Sequence, residues 1–317
     1  MAQTVLLVGG TGNLGSKIAT ELARKDDITL RTLVRSRTAS DSKKQSQIDH
    51  LAKLGAELVE ADLNEKVSLE RACTGVDTVM STLAGWDDVV VTGQLNLLEA
   101  ASNAGVDRFI PSDYSYDYTG LKLGDNYLSD QRIKVAEAVK KSGLNYTFIA
   151  NGVFMEVFFA PFSQVFDFKA GTVEYWGDAD TKFDLTTVAD VAKYAAEAVV
   201  SPGAINTMFQ FAGDVMSIND VIAAYEAVTG QKLSVRRRGS VDELKQWIEN
   251  TKASNPDPWA VIPMQYHYGM MSGKAKLQHL VNERYPYIQL MKVSTFIAQL
   301  DTNSISGTGT DQGFRPQ

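Results

Sequence analysis

Residues 8–17 read VGGTGNLGSK, with glycines at 9, 10, 12 and 15 directly after the apolar run Thr4–Val8. Gly9, Gly12 and Gly15 fit G-x-x-G-x-x-G, whereas Gly10, Gly12 and Gly15 fit G-x-G-x-x-G. Both spacings serve one chemistry. Without side chains the backbone turns tightly and comes close to a diphosphate, and the helix that follows aims its free amides at it. Leu14, Ile18 and Leu22 recur every four residues, the stripe of an amphipathic helix, so the glycines stand between a strand and a helix. The expected ligand is a dinucleotide. Twenty residues past Gly15 lies Arg35, in TLVRSRT, where an acid would instead hold the ribose hydroxyls of NAD. A planar guanidinium suits a 2′-phosphate, so NADP(H) is the expected cofactor. Arg37, Lys43 and Lys44 follow, and Asp41 is the only acid nearby.

Other chemistry-bearing residues are less patterned. Phe154, Phe158, Phe159, Phe162, Trp176, Trp259, Tyr266 and Tyr268 crowd the middle and later segments. They suit either an apolar pocket for a flat organic molecule or an ordinary core. Tyr118 and Lys122 spell Y-x-x-x-K, but Gly120 between them argues against the helix that would bring both side chains together. His50, His267 and His279 lack metal-ligand spacing, and no metal is expected.

The elements that must position these residues alternate. Strand-like Thr4–Val8, Ile28–Val34, Ala56–Glu60, Asp77–Leu83, DRFIPS and NYTFIA are separated by helical stretches, with Gly105 and Gly143 where helices should end. Such alternation gives right-handed crossovers and a doubly wound α/β fold with a parallel sheet. Beyond residue 151 the rhythm changes. GTVEYWGDADTKFDL reads as a hairpin with a Gly-Asp turn, and Thr186 or Thr187 ahead of Asp190 as a helix cap. The expected division is a dinucleotide-binding domain over 1–153, with 183–213 returning to it, and a smaller mixed α/β substrate part over 154–182 and 214–300. The polar, Gly-rich segment 301–317 is expected to be disordered.

Composition narrows the function. The net charge of −7, with no basic block longer than Arg236–Arg238, disfavours nucleic acid as a partner. A single cysteine, Cys73, and no long apolar stretch suggest a cytoplasmic protein with no membrane span. The sequon at Asn145 would be meaningless there.

GGTGNLG, LVRSRT, VDTVMSTLAG, DRFIPSDYS, KVAEAVKKSGLNYTFIANGVF and LVNERYPYIQLMKVSTFIAQL, in that order, resemble the NmrA-like / isoflavone reductase-like family of atypical short-chain dehydrogenase/reductases. The resemblance runs from residue 3 to about 300. It implies an NADP(H)-binding Rossmann domain and a smaller C-terminal substrate domain. Carried over position by position, it implies cofactor contacts from Gly9, Thr11, Gly12, Asn13, Leu14 and Gly15, with Arg35 at the 2′-phosphate. It further implies Ser81, Thr82 and Leu83 along the adenosine side and Phe154 near the nicotinamide. Family reductases carry a catalytic lysine eleven residues before the glycine matching Gly143, and here that position is Arg132.

On a helix Arg132 shares a stripe with Leu128, Val135 and Val139, while Lys134 lies about 200° away and is expected to face water. Arginine orients but does not release a proton. Tyr114 is therefore the leading alternative proton donor, ahead of Ser112 and Tyr127, with Lys134 and His267 as lesser catalytic candidates. His267 precedes Gly273 by six residues, a spacing the family also shows. Two functions stay open: an NADPH-dependent reductase of a small carbonyl, quinone or conjugated aromatic compound, or a non-catalytic NADP(H) redox sensor that regulates a protein partner.

Overall fold

The computed structural model describes residues 2–300, and the expected disordered tail lies outside the described residues. In chain order the first elements are β1 (Gln3–Val8), α1 (Asn13–Leu22), β2 (Ile28–Val34), α2 (Ser42–Lys53), β3 (Glu57–Glu60), α3 (Lys66–Cys73) and β4 (Thr78–Ser81). A wide helical turn at Asp88–Gly93 leads into α4 (Gln94–Asn103), then β5 (Arg108–Ile110), α5 (Tyr127–Lys141) and β6 (Asn145–Ala150). There follow β7 (Val153–Phe154), α6 (Met155–Phe158), β8 (Phe166–Asp167), β9 (Thr172–Trp176), β10 (Phe183–Thr186), α7 (Val188–Val200) and β11 (Thr207–Gln210). The last are β12 (Asp214–Met216), α8 (Ile218–Thr229), β13 (Ser234–Gly239), α9 (Val241–Ser254), α10 (Ile262–Met271) and α11 (Val293–Gln299). Among these described residues no helix is long and apolar enough to cross a membrane.

Two units share the chain. The first comprises Met1–Asp113, Gln131–Ile149 and Val191–Phe209; the second comprises Tyr114–Asp130, Ala150–Asp190 and Gln210 onward.

The first unit is built on a seven-stranded sheet in the order β11-β6-β5-β4-β1-β2-β3. Strands β1 to β6 pair in parallel throughout. Val5–Val8 and Val79–Met80 are buried on both faces, as a sheet covered by helices requires. The chain winds outward from β1 through β2 to β3, then returns to start β4 on the other side of β1. This reversal leaves a crevice beyond the carboxyl ends of β1 and β4, the usual ligand position in such folds. Buried Arg108 ties β5 to the end of α7, donating to the carbonyls of Ala198 (2.8 Å) and Val199 (3.0 Å). A cation is favoured at a helix C-terminus. Burial lowers its pKa to about 10.

The second unit holds two three-stranded sheets, β12-β10-β7 and β13-β9-β8. The segment expected to form a hairpin therefore does not: β9 and β10 join different sheets. Strand β10 is buried at every position and pairs with β7 in parallel and β12 in antiparallel register. The nearest partners of β9 are instead β8 and β13. Aromatic rings pack around β10. Phe183 packs on Phe158 at 5.2 Å between ring centroids, in a cluster extended by Phe159, Phe166, Phe168 and Tyr225. Of the two cap candidates Thr187 caps α7, accepting from the Asp190 amide at 3.2 Å, while the Thr186 hydroxyl donates to the Asn151 carbonyl.

Candidate functional site

The glycine turn owes its shape to close approaches that no side chain survives. After β1, Gly9 takes φ +89°, in the left-handed region, and its carbonyl accepts the Gly12 amide at 2.9 Å. A Cβ on Gly15 would lie 2.2 Å from the Gly9 oxygen, and one on Gly9 would lie 2.6 Å from Thr82 Oγ1. Gly10 is also crowded, its added Cβ meeting the Thr32 methyl at 2.7 Å. Both glycine spacings thus matter in one turn. Thr82, at the end of β4, donates through its amide and its hydroxyl to the Val8 carbonyl at 2.8 and 3.0 Å. The two strand ends flanking the crevice are joined there.

Helix α1 starts with Gly12 as its cap, which offers no side-chain acceptor. The first intrahelical bond is Ser16 to Gly12, so the amides of Asn13, Leu14 and Gly15 have no partner within the helix. Three donors at the positive end of a helix dipole fit a diphosphate.

Beyond β2, exposed Arg35 makes no hydrogen bond or ion pair with the described residues. Arg37 does: its amide donates to Glu60 Oε1 (2.8 Å) and its Nη2 to the Leu58 carbonyl (2.9 Å). Asp41 caps α2, accepting the Lys44 amide at 2.7 Å, so this acid has a local structural role. Lys43 stands exposed and Lys44 half-buried in that first turn. Along β4 and beyond, Ser81 is buried, and Leu83 accepts the Ser112 hydroxyl at 2.7 Å. Ser112 in turn donates its amide to Gln94 Oε1.

Arg132 is half-buried on α5, on the same side as buried Val135 and Val139, and its Nε donates to the Asp113 carbonyl just past β5. Lys134 is half-exposed, 3.6 Å from Asp87 Oδ2. Asp87 also accepts Gln131 Nε2.

In the second unit Tyr114 is buried. Tyr118–Lys122 is loop, as the glycine within it foretold, and a Cβ on Gly120 would lie 2.3 Å from the Lys274 carbonyl. The eight aromatics divide into two sets. Phe158 and Phe159 belong to the phenylalanine cluster, and Trp176 and Tyr268 pack with Leu244, Ile248 and Met264. Phe154, Phe162, Trp259 and Tyr266 remain half-buried. His267 lies inside α10 with neither ring nitrogen hydrogen-bonded among the described residues. Burial first, and the Arg238 guanidinium second, hold its pKa down to about 4. The imidazole is therefore neutral near pH 7.

A model of the NmrA-like family matches residues 1–282. The chain belongs to the NmrA-like family. Among curated relatives it is similar to a bifunctional pinoresinol-lariciresinol reductase of Linum perenne, 30% identical over 242 residues, covering 73% of this chain and 76% of that protein. It is also similar to the isoflavone reductase homolog P3 of Arabidopsis thaliana, 27% identical over 312 residues, covering 93% and 97%. Among solved structures, AtPrR2 with NADP+ and (+)pinoresinol superposes with a TM-score of 0.82 at 22% identity, covering 94% of this chain and 98% of that one. That likeness establishes the shared fold.

Within this NmrA-like chain some supporting residues carry no motif. Glu60, Asp87 and Gln94 act by hydrogen bonding to groups 18 to 44 positions away in sequence. Polar residues of that kind look like ordinary surface until the sheet brings their partners together.

Proposed function

We propose that this NmrA-like protein binds NADP(H) and acts as an NADPH-dependent reductase of a small carbonyl, quinone or conjugated aromatic compound. One observation carries the cofactor reading: three helix amides without a partner within the helix, behind a glycine turn that excludes side chains, with the guanidinium of Arg35, unpaired among the described residues, after the next strand. Gly9, Thr11, Gly12, Asn13, Leu14 and Gly15 would hold the diphosphate, Arg35 the 2′-phosphate, and Ser81, Thr82 and Leu83 the adenosine side. Reductases among the relatives support the activity, and the half-buried aromatics Phe154, Phe162, Trp259 and Tyr266 support a flat apolar substrate.

When bound, NADPH supplies a hydride. This chain's residues must orient the acceptor, exclude water and deliver a proton to the oxygen or carbon that becomes basic. Arg132, half-buried and braced on the Asp113 carbonyl, is a fixed donor that polarises an oxygen or holds ribose hydroxyls. Its guanidinium stays charged at working pH, so it does not provide the proton. Tyr114 is the proposed source. Lys134 is already close to Asp87, and neutral, deeply buried His267 suits a hydrogen-bonding part better than acid catalysis.

The same arginine favours a second reading, in which the protein senses the NADP+/NADPH ratio and passes it to a protein partner without turnover. Incubating purified protein with NADPH and a panel of quinones and aromatic enones separates the two. Consumption of NADPH above background, lost in Arg132→Ala, is the expected result. No consumption with any acceptor, alongside different affinities for NADP+ and NADPH, would move the function to the sensor.

A further inference from the structure

The turn that carries Arg35 is held from outside, by the edge strand of the sheet. Arg37 reaches across to β3 twice, through its backbone amide to the Glu60 carboxylate and through Nη2 to the Leu58 carbonyl. Arg71 adds a weaker bond to the Glu60 carbonyl at 3.3 Å. Strand β3 is the last in the sheet, so arginine side chains occupy backbone acceptors on an otherwise open rim. Within the turn, the Thr38 amide donates to Ser36 Oγ at 3.2 Å. Of the two arginines here, Arg37 is bound into the protein, and Arg35 makes no bond with the described residues.

We propose that Glu60 is a positioning residue for 2′-phosphate recognition, setting the NADPH-over-NADH preference by fixing Arg37 and so directing Arg35 alone at the ligand. This rests on the NADP(H) reading above. Glu60 need not touch the cofactor. Its carboxylate satisfies the Arg37 amide, which would otherwise leave the turn to fluctuate among conformers, each aiming Arg35 differently. Ordering a charged, rotamer-rich side chain's base before binding reduces the entropy lost on binding. Arg37, although its charge would suit a phosphate, is an anchor in this arrangement.

The substitutions that test this leave the core alone. Glu60 is exposed and borders a surface cavity of about 380 Å³ shared with Arg31, Arg71 and Thr74, so shortening it opens no buried void. Dissociation constants for NADPH, NADH and 2′,5′-ADP are measured by fluorescence titration and calorimetry on the full chain. Glu60→Ala should weaken NADPH and 2′,5′-ADP by about five- to tenfold, the worth of one hydrogen bond, with NADH within about twofold of wild type. Glu60→Gln keeps an acceptor for the Arg37 amide and should restore the preference. Arg35→Ala should weaken NADPH more than Arg37→Ala does, which identifies the direct ligand.

An unchanged NADPH-to-NADH ratio in Glu60→Ala would overturn the proposal, as would a larger loss in Arg37→Ala than in Arg35→Ala. Wild-type protein that binds NADH as tightly as NADPH would overturn the cofactor reading itself, a result seen before any variant is made. If Glu60→Ala melts early, the arginine pair alone decides.

Discussion

Glycine and phenylalanine shape the two units in opposite ways. In the first unit the decisive residues lack side chains. Gly9, Gly12 and Gly15 leave a space that backbone atoms already crowd, and the amides of Asn13–Gly15 stay unpartnered within the helix. In the second unit the abundant aromatic rings fill space, with Phe159 at 2% exposure and ring centroids 5.1 to 6.0 Å from Phe158, Phe166 and Phe168. A ligand site announces itself where polar groups are left without partners. Aromatic density mostly announces a core.

Breaking the glycine turn should have the largest effect. Gly15→Val puts a branched side chain where a single Cβ already lies 2.2 Å from a backbone oxygen. The cradle would shift and lose at least two charge-assisted bonds, each worth about 1.5–3 kcal/mol. NADPH binding should fall by about a hundredfold or more in calorimetry. If Gly15→Val binds like wild type, the cradle is elsewhere.

The matching experiment on the second unit should show as stability. Phe159→Ala should cost about 3–5 kcal/mol in urea unfolding, by lost burial and the cavity left behind. Trp259→Ala removes a half-buried ring whose edge meets Phe162 at 5.7 Å, and should cost about 1 kcal/mol or less while weakening a flat substrate. Equal losses of stability from both variants would erase the division between core and lining.

This contrast also explains what the amino-acid order disclosed. Alternating apolar runs and glycine-ended helices specify the parallel sheet, because each βαβ unit closes locally. The GGTGNLG turn was legible for the same reason: every group in it lies within about two turns of chain, with Thr32 and Thr82 excepted. The strand pairing of the second unit was not. Strand β10 chooses β7, some thirty residues earlier, because both flank the Gly152 crossing, where a Cβ would lie 2.4 Å from the Asp184 carbonyl. Nothing local in GTVEYWGDADTKFDL records that preference. The aromatics could not be sorted into core and lining either, since Phe158 and Phe162 differ in burial but hardly in sequence context.

His267 gives the second unit a polar counter-example, and a pH test. Its pKa of about 4 lies below the 6.5 of an open chain, because burial, with Arg238 nearby, opposes the charged form. Above about pH 6.5 both states leave the ring neutral, and stability is unaffected by it. Between about pH 6.5 and 4 the unfolded chain takes up a proton that the folded chain does not. Stability should then fall with pH, by about 3 kcal/mol across that window. Urea unfolding at pH 7 and pH 4.5 measures the drop, and His267→Leu should remove most of it. An identical drop in wild type and variant would mean the ring is not held neutral by folding.

The smallest predicted effect on stability is the most diagnostic for the first unit. Arg35 is exposed and makes no bond with the described residues, so Arg35→Asp should leave the urea midpoint essentially unchanged. It should nevertheless weaken NADPH by about 30-fold, because a bidentate guanidinium–phosphate contact is replaced by a like-charge pair. NADH, lacking the phosphate, should bind as well or somewhat better, since a carboxylate there can accept ribose hydroxyls. The variant thus separates a residue kept for a ligand from one kept for the fold, the distinction that Phe159 and Gly15 draw from the other side. Equal losses for both coenzymes would mean that Arg35 supports the turn and does not read the phosphate.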